Sequence, residues 1–456
     1  MRTQEDAQRE RLATRPVAAV RPGPADLQEP VLGPLSTALG QAFLVGALVH
    51  GFGILFVTHQ RVSAVLLSAL AFGCLVLAPR SLVRQVRVSL PLLALVLWMV
   101  ASWTWSVNPA QTYLRLETLV PVLLGMMVVT GLLPERARLV ALRWSIRVTL
   151  LVSVVSVATS ASARISGDDE FAVPGWRGTF SDKNSLALYL VFALAATVVL
   201  DRGRSRWLTS IVIAVLLGGA QSATGIVSAL LVLALCAWLP MLRRRTGRQR
   251  ALFVVATTAM VLGAAAALAV NVTAVLASYG KDTSLTGRTD IWAAVLGAIR
   301  ERPLHGYGLG APLVDVAAPS TVTLRLWREI GFTASHAHDG TLDLVGQLGL
   351  LGLVLFLLAF GTTARAAARR LHTAPAAATF ALVLLSAQVL MSVSENVFLG
   401  PWLLVLLLLQ APLLVPAPLP VPGDGAGGPG EPSVEPLGAA GPDERGLAAR
   451  GLDRRR

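Results

Sequence analysis

The sequence predicts an all-α fold, a polytopic bundle of about twelve transmembrane helices. Three observations carry this. First, the chain is 54% hydrophobic and only 14% charged, whereas soluble domains carry about a quarter charged residues. Second, the apolar residues come in long blocks, such as 62–77 and 398–415, which hold no charge and approach the ~20 residues that cross a bilayer core. Third, short Arg-bearing loops separate the blocks, where a β-barrel would show alternation over segments of about ten residues.

Taken in order, the expected spans are 38–57, 62–79, 88–105, 116–133, 144–160, 184–200, 206–220, 223–241, 251–276, 341–362, 376–394 and 397–415. One set of loops holds Arg80, Arg84 and Arg87; Arg136, Arg138 and Arg143; Arg202, Arg204 and Arg206; Arg243 to Arg250; and Arg365, Arg369 and Arg370. Arg-rich loops stay in the cytoplasm, so both chain ends are expected there, in the cytoplasmic membrane. Residues 1–35 read as a disordered cytoplasmic tail without a cleavable signal, 36–416 as the membrane domain, and 417–456 as a disordered Pro/Gly-rich tail.

Two long loops then face outward, 161–183 and 277–340. The second precedes the tenth span and is expected to be partly helical, because DIWAAVLGAIRE at 290–301 has helical apolar spacing and could lie flat on the membrane surface.

The net charge of +13 does not indicate nucleic acid, because the arginines lie between apolar spans and form no basic domain. Cys74 and Cys236 both fall inside spans and read as small core residues.

The groups that can do chemistry cluster on the outer side. They are GWRGTFSDKN at 175–184, SATG at 222–225, GRTDIW at 287–292 followed by PLHGYGLG at 303–310, and SHAHDG at 335–340 running into TLDLVGQLGLLG at 341–352. His338 and Asp339 are followed by nine residues, Gly349, two residues and Gly352. With the Arg177 and Arg288 segments, this pattern resembles the O-antigen ligase and polymerase superfamily over residues 36–416. Those enzymes move glycans from a polyprenyl-diphosphate carrier, and the resemblance puts the family's two key arginines on Arg177 and Arg288.

The chemistry is intelligible from the residues as well. Guanidinium groups stay ionised and grip phosphate in bidentate fashion. A neutral imidazole can take a proton from an attacking sugar hydroxyl. The expected catalytic set is therefore His338, Arg288 and Arg177, meeting in one pocket, with Lys183, Asn184, Asp290, His336 and Asp339 in substrate binding. Asp290 either orients Arg288 or caps a helix, and His336 is the rival base. Ser222 and Thr224 are expected to cap the following helix, Gly306, Gly308 and Gly310 to shape a turn, and Gly349 and Gly352 to allow close helix packing. His336, His338 and Asp339 could in principle hold a metal, but two histidines with one intervening residue do not define a site, and no metal or other cofactor is expected. The expected partners are a polyprenyl-diphosphate-linked glycan donor, a glycan or glycolipid acceptor and the bilayer. The alternative is a transporter or flippase, against which stands the lack of an internal repeat.

Overall fold

The computed structural model describes residues 32–51, 60–84, 86, 89–166, 173–270, 287–313 and 318–414. Both expected tails fall outside them, apart from residues 32–35. A helix occupies each of the twelve expected segments: α1 (Pro34–Gly51), α2 (Gln60–Val76), α3 (Leu90–Ala101), α4 (Pro109–Leu132), α5 (Glu135–Thr159), α6 (Lys183–Leu200), α7 (Gly203–Ala220), α8 (Ala223–Arg243), α9 (Gly247–Val270), α12 (Gly340–Arg369), α13 (Pro375–Ser392) and α14 (Pro401–Leu414). Two more, α10 (Arg288–Glu301) and α11 (Thr321–Ile330), lie in the second long loop. Among the described residues, six helices are long and apolar enough to cross a membrane: α4, α5, α6, α8, α12 and α13. Leu66, Phe72, Leu97, Leu151, Leu230 and Leu357 remain exposed on outward faces, a greasy exterior that suits lipid contact rather than water. The architecture is that of an all-α membrane protein.

Two helices, α4 and α5, begin seven and nine residues before the starts at 116 and 144 that hydropathy predicts. Asn108 caps α4 by accepting a hydrogen bond from the Gln111 N–H at 3.2 Å, with Pro109 at the first helical position. Helix α5 starts directly after Pro134, with Glu135 favourably placed in its first turn. Charges end an apolar window but need not end a helix, so the hydrophobic reading stopped short.

Helix α6 is the centre of the bundle. Every residue from Leu186 to Thr197 is buried, as expected of a helix apolar on all sides, and it packs against α7, α8 and α13. The loop before it contains a two-residue antiparallel pair, β1 (Ile165–Ser166) with β2 (Val173–Pro174).

The expectation that 290–301 lies flat on the membrane gives way to a different arrangement. Ile291, Ala294, Val295 and Ala298 of α10 are buried in a second small core with Tyr307, Leu326 and Ile330, and α10 packs on α12. Its apolar face is committed to protein.

Helix α12 is broken within the expected motif. Gly349 has φ 69° and ψ −176°, a backbone open to glycine and strained for other residues. The break frees amides that the 303–308 segment captures. Leu350 N–H donates to Pro303 O at 2.8 Å, and Gly308 N–H donates to Gln347 O at 2.9 Å. A Cβ on Gly349 would stand 2.2 Å from Leu304 O. Gly349 therefore serves loop docking rather than helix–helix packing. The nearest atom to a Cβ on Gly352 would be Leu348 Cβ, at 2.3 Å.

Candidate functional site

The turn between α13 and α14 is the hub of the site, and it carries Glu395. This carboxylate is 6% exposed and collects groups from three other parts of the chain. Asn184 Nδ2 donates to Glu395 Oε1 at 2.9 Å. Arg288 Nη2 stands 3.5 Å from the same oxygen, and Arg288 Nη1 donates to Ser394 O at 3.1 Å. His336 Nε2 and His338 Nδ1 lie 3.8 and 3.7 Å from Oε2. The two imidazoles are in contact, with ring centroids 3.9 Å apart.

The elements that deliver these groups all arrive by their N-terminal ends. Asn184 is in the first turn of α6, whose cap Asp182 accepts from Ser185 N–H at 2.8 Å. Ser222 caps α8 and also donates to Asn184 Oδ1 at 2.9 Å. Thr224 bonds Ser394 across 2.7 Å instead of capping its helix. Arg288 opens α10. Asp339 caps α12, accepting from Thr341 N–H at 2.9 Å and Leu342 N–H at 2.8 Å. Each helix start carries a partial positive charge, so four of them around one point make a field suited to an anion.

The histidine loop is held from two sides. Trp292 of α10 donates through Nε1 to Ala337 O at 3.0 Å. Asp343, buried one turn into α12, accepts from Ala337 N–H at 3.1 Å and from Gln347 Nε2 at 2.8 Å. It also accepts from Asn396 Nδ2, tying the loop to the hub turn. His338 itself is left-handed, with φ 48°, a conformation that costs a non-glycine residue about 1 kcal/mol. Its Nδ1 is buried without a hydrogen-bond partner among the described residues.

The electrostatics separate the two imidazoles. Burial alone would raise the Glu395 carboxyl, but His336 and His338 outweigh it and hold it down at about 2. His336 is opposed by burial, yet Glu395, Asp343 and Asp182 raise it above the ordinary histidine value. His338 is lowered, first by burial and then by the charges of His336 and Arg288, against the pull of Glu395. One imidazole is thus biased toward the cation and its neighbour toward the neutral form.

The sequence-predicted residues divide accordingly. Arg288, His336, His338 and Asn184 come together on Glu395. Arg177 does not touch them in the described contacts. Its Nε donates to Ser162 O at 2.8 Å and its Nη1 to Ser181 O at 3.2 Å, so it braces the loop that leads to Asn184. Lys183 Nζ donates to Pro174 O at 3.1 Å in the same loop. Asp290 is exposed in the first turn of α10 and makes no described contact with Arg288. Asp339 is occupied as a cap. Among the described residues, the trio that brings ligand atoms within 4.8 Å of one another is His336, His338 and Glu395, not the set with Asp339.

Glu395 was missed at the sequence level. A signal existed: it is the single acidic residue between Asp343 and Asp424, at the short connection between two strongly apolar segments.

Comparison with known proteins adds to this geometry. Residues 208–357 match the O-Antigen ligase family model, a stretch that includes Arg288, both histidines, Asp339 and the Gly349 break, and ends before Glu395. The Exopolysaccharide production protein ExoQ of Rhizobium meliloti (strain 1021) is 32% identical over 202 residues, which cover 41% of this chain and 45% of that protein. The aligned region thus spans less than half of that relative. The family-model match places the chain's similarity to O-antigen ligases in the region that builds the histidine loop and α10.

Proposed function

We propose that the protein is a membrane enzyme of polysaccharide biosynthesis that transfers a glycan from a polyprenyl-diphosphate carrier to a hydroxyl acceptor. The reaction takes place at the outer face of the cytoplasmic membrane, with all twelve segments crossing and both chain ends cytoplasmic. The observation that carries this is the gathering of Arg288, His336 and His338 on Glu395 among four helix N-termini.

Arg288, the helix starts and a protonated His336 receive the diphosphate and stabilise the charge that grows on it. Glu395 keeps these cations in place without neutralising them all. His338, biased toward the neutral form, accepts the proton of the acceptor hydroxyl. That oxygen bonds to the anomeric carbon as the carbon–oxygen bond to the diphosphate breaks, and the electron pair leaves with the diphosphate. Arg177, on the loop that leads to Asn184, extends the phosphate-binding surface with Lys183. Asp339 acts through α12, which it caps, and Asp290 through its charge in the first turn of α10.

The test is transfer by purified protein from a lipid-linked oligosaccharide, with Arg288→Ala beside the wild type. A loss of about 10²–10³-fold is expected. An Arg288→Ala protein with wild-type rate and donor affinity would remove the diphosphate site from this location.

A further inference from the structure

A second set of charged groups lies at the other end of α6 from Asn184, about 27 Å away along an 18-residue helix. There, the C-terminal end of α6 and the start of α7 face α5 across a cavity of about 660 Å³ lined by Arg143, Trp144, Arg147, Arg202 and Ser205. Asp201, 8% exposed, receives Arg143 Nε at 2.5 Å and stands 3.9 Å from Arg147 Nη2. One carboxylate therefore faces two guanidiniums. Arg143 Nη2 also donates to Leu200 O at 2.6 Å, and Arg147 Nη2 to Ser205 Oγ at 2.7 Å, which fixes both side chains at the cavity wall. Arg202 is exposed at the mouth with no described ion pair. Glu135 is the remaining acidic residue of the lining, so the mouth keeps a net positive charge.

Beneath the mouth the lining becomes apolar. Glu135, Leu139 and Leu200 continue from the charged cavity into an adjoining slot completed by Arg138, Leu142, Ala377, Phe380, Leu408 and Leu409. Arg138 spends Nη1 on the carbonyls of Thr130 and Leu133 at 2.7 and 2.9 Å, and apart from Glu135 the rest of the wall is apolar. Trp144 stands at the rim, 57% exposed, an indole suited to the depth of lipid headgroups.

We infer that this cavity binds one anionic phospholipid, its phosphate on Arg147 and Arg202 and an acyl chain in the slot between α5 and α14. A free phosphate would use the arginines but leave the apolar slot unfilled. A zwitterionic lipid would fill the slot but bring its own cation against the guanidiniums. The Arg143–Asp201 pair is the rigid back wall. The site is separate from the glycan chemistry proposed above and does not depend on it.

The test is thermal unfolding and native mass spectrometry of the full-length protein in neutral detergent. The probes are phosphatidylglycerol, phosphatidylcholine and inorganic phosphate, added separately. Phosphatidylglycerol is expected to raise the Tm saturably and to remain as a one-lipid adduct, with no comparable shift from the other two. The double variant Arg147→Gln/Arg202→Gln spares the buried pair and should require about 10–30-fold more phosphatidylglycerol for the same shift. Leu139→Trp, which fills the slot and leaves every charge, should lose the adduct as well. Equal shifts from phosphatidylcholine and phosphatidylglycerol, or an undiminished adduct in both variants, would overturn the inference. A shift reproduced by inorganic phosphate alone would overturn it too, in favour of a free-anion site.

Discussion

Asn184 and Glu395 lie 211 positions apart and are joined by a 2.9 Å hydrogen bond from Asn184 Nδ2 to Glu395 Oε1. That bond connects the start of the central helix α6 to the turn that holds Arg288 and both histidines. The loop braced by Arg177 therefore reaches the histidine loop through a carboxylate that lies in neither.

Glu395→Gln keeps the shape of the turn and removes the charge. His336 loses the foremost of the three carboxylates that raise it, and Arg288 loses its counter-ion. Transfer is expected to fall by at least ~10²-fold, by analogy with other carboxylates that orient a catalytic histidine. The check is the rate with lipid-linked donor at fixed pH. An unchanged rate removes Glu395 from the mechanism.

The pH profile follows from the opposite shifts of the two imidazoles. His338 is lowered, so activity rises as the pH passes upward through a value below the ordinary 6.5. His336 is raised, so activity falls again above 6.5 as its proton leaves. The profile is a bell whose limbs belong to the pair. Glu395→Gln should move the upper limb to lower pH, and a flat profile between pH 5 and 8 would contradict the assignment.

Stability carries its own signature. Glu395 sits far below its unfolded value, at about 2, so its contribution is complete above about pH 4.3 and is lost as the pH falls toward 2. Acid unfolding of the wild type, compared with Glu395→Gln, should show this dependence removed in the variant.

Gly349→Ala places a Cβ 2.2 Å from Leu304 O in a left-handed conformation. A destabilisation of about 1–3 kcal/mol is expected, together with loss of transfer as the 303–308 segment separates from α12. Gly352→Ala approaches the Leu348 side chain rather than backbone, at a position without positive φ, and should cost less. Thermal unfolding of both variants decides this, and equal losses would contradict the role given to the break.

His336, His338 and Glu395 are close enough to share an ion, whereas the proposed mechanism draws its positive charge from Arg288 and His336. Chelation of the purified protein should leave the transfer rate unchanged. Loss of activity, restored by one divalent metal, would convert the trio into a metal centre.

The helices and the histidine loop were legible in the sequence because both rest on local patterns: runs of apolar residues, and the fixed spacing from His338 to Gly352. Glu395 was not, because the predicted spans 376–394 and 397–415 leave it in a two-residue gap that looks like a connector, although the turn runs over 393–400, and each of its partners is remote in sequence. The placement of Arg177 was also not legible. Its guanidinium is held by the carbonyls of Ser162 and Ser181, and local competition for a donor is invisible without the loop's path. The role of Gly349 differed for a similar reason: the amides it frees are taken by a segment some 45 residues earlier, bonded as Leu350 N–H to Pro303 O.

The central claim is that His338 is the base for glycan transfer in a pocket that also binds the diphosphate. It is tested most directly by measuring donor binding and single-turnover transfer for His338→Ala on purified protein. Donor affinity should stay near that of the wild type while the transfer step slows by about 10²–10⁴-fold. Transfer at the wild-type rate would contradict the account.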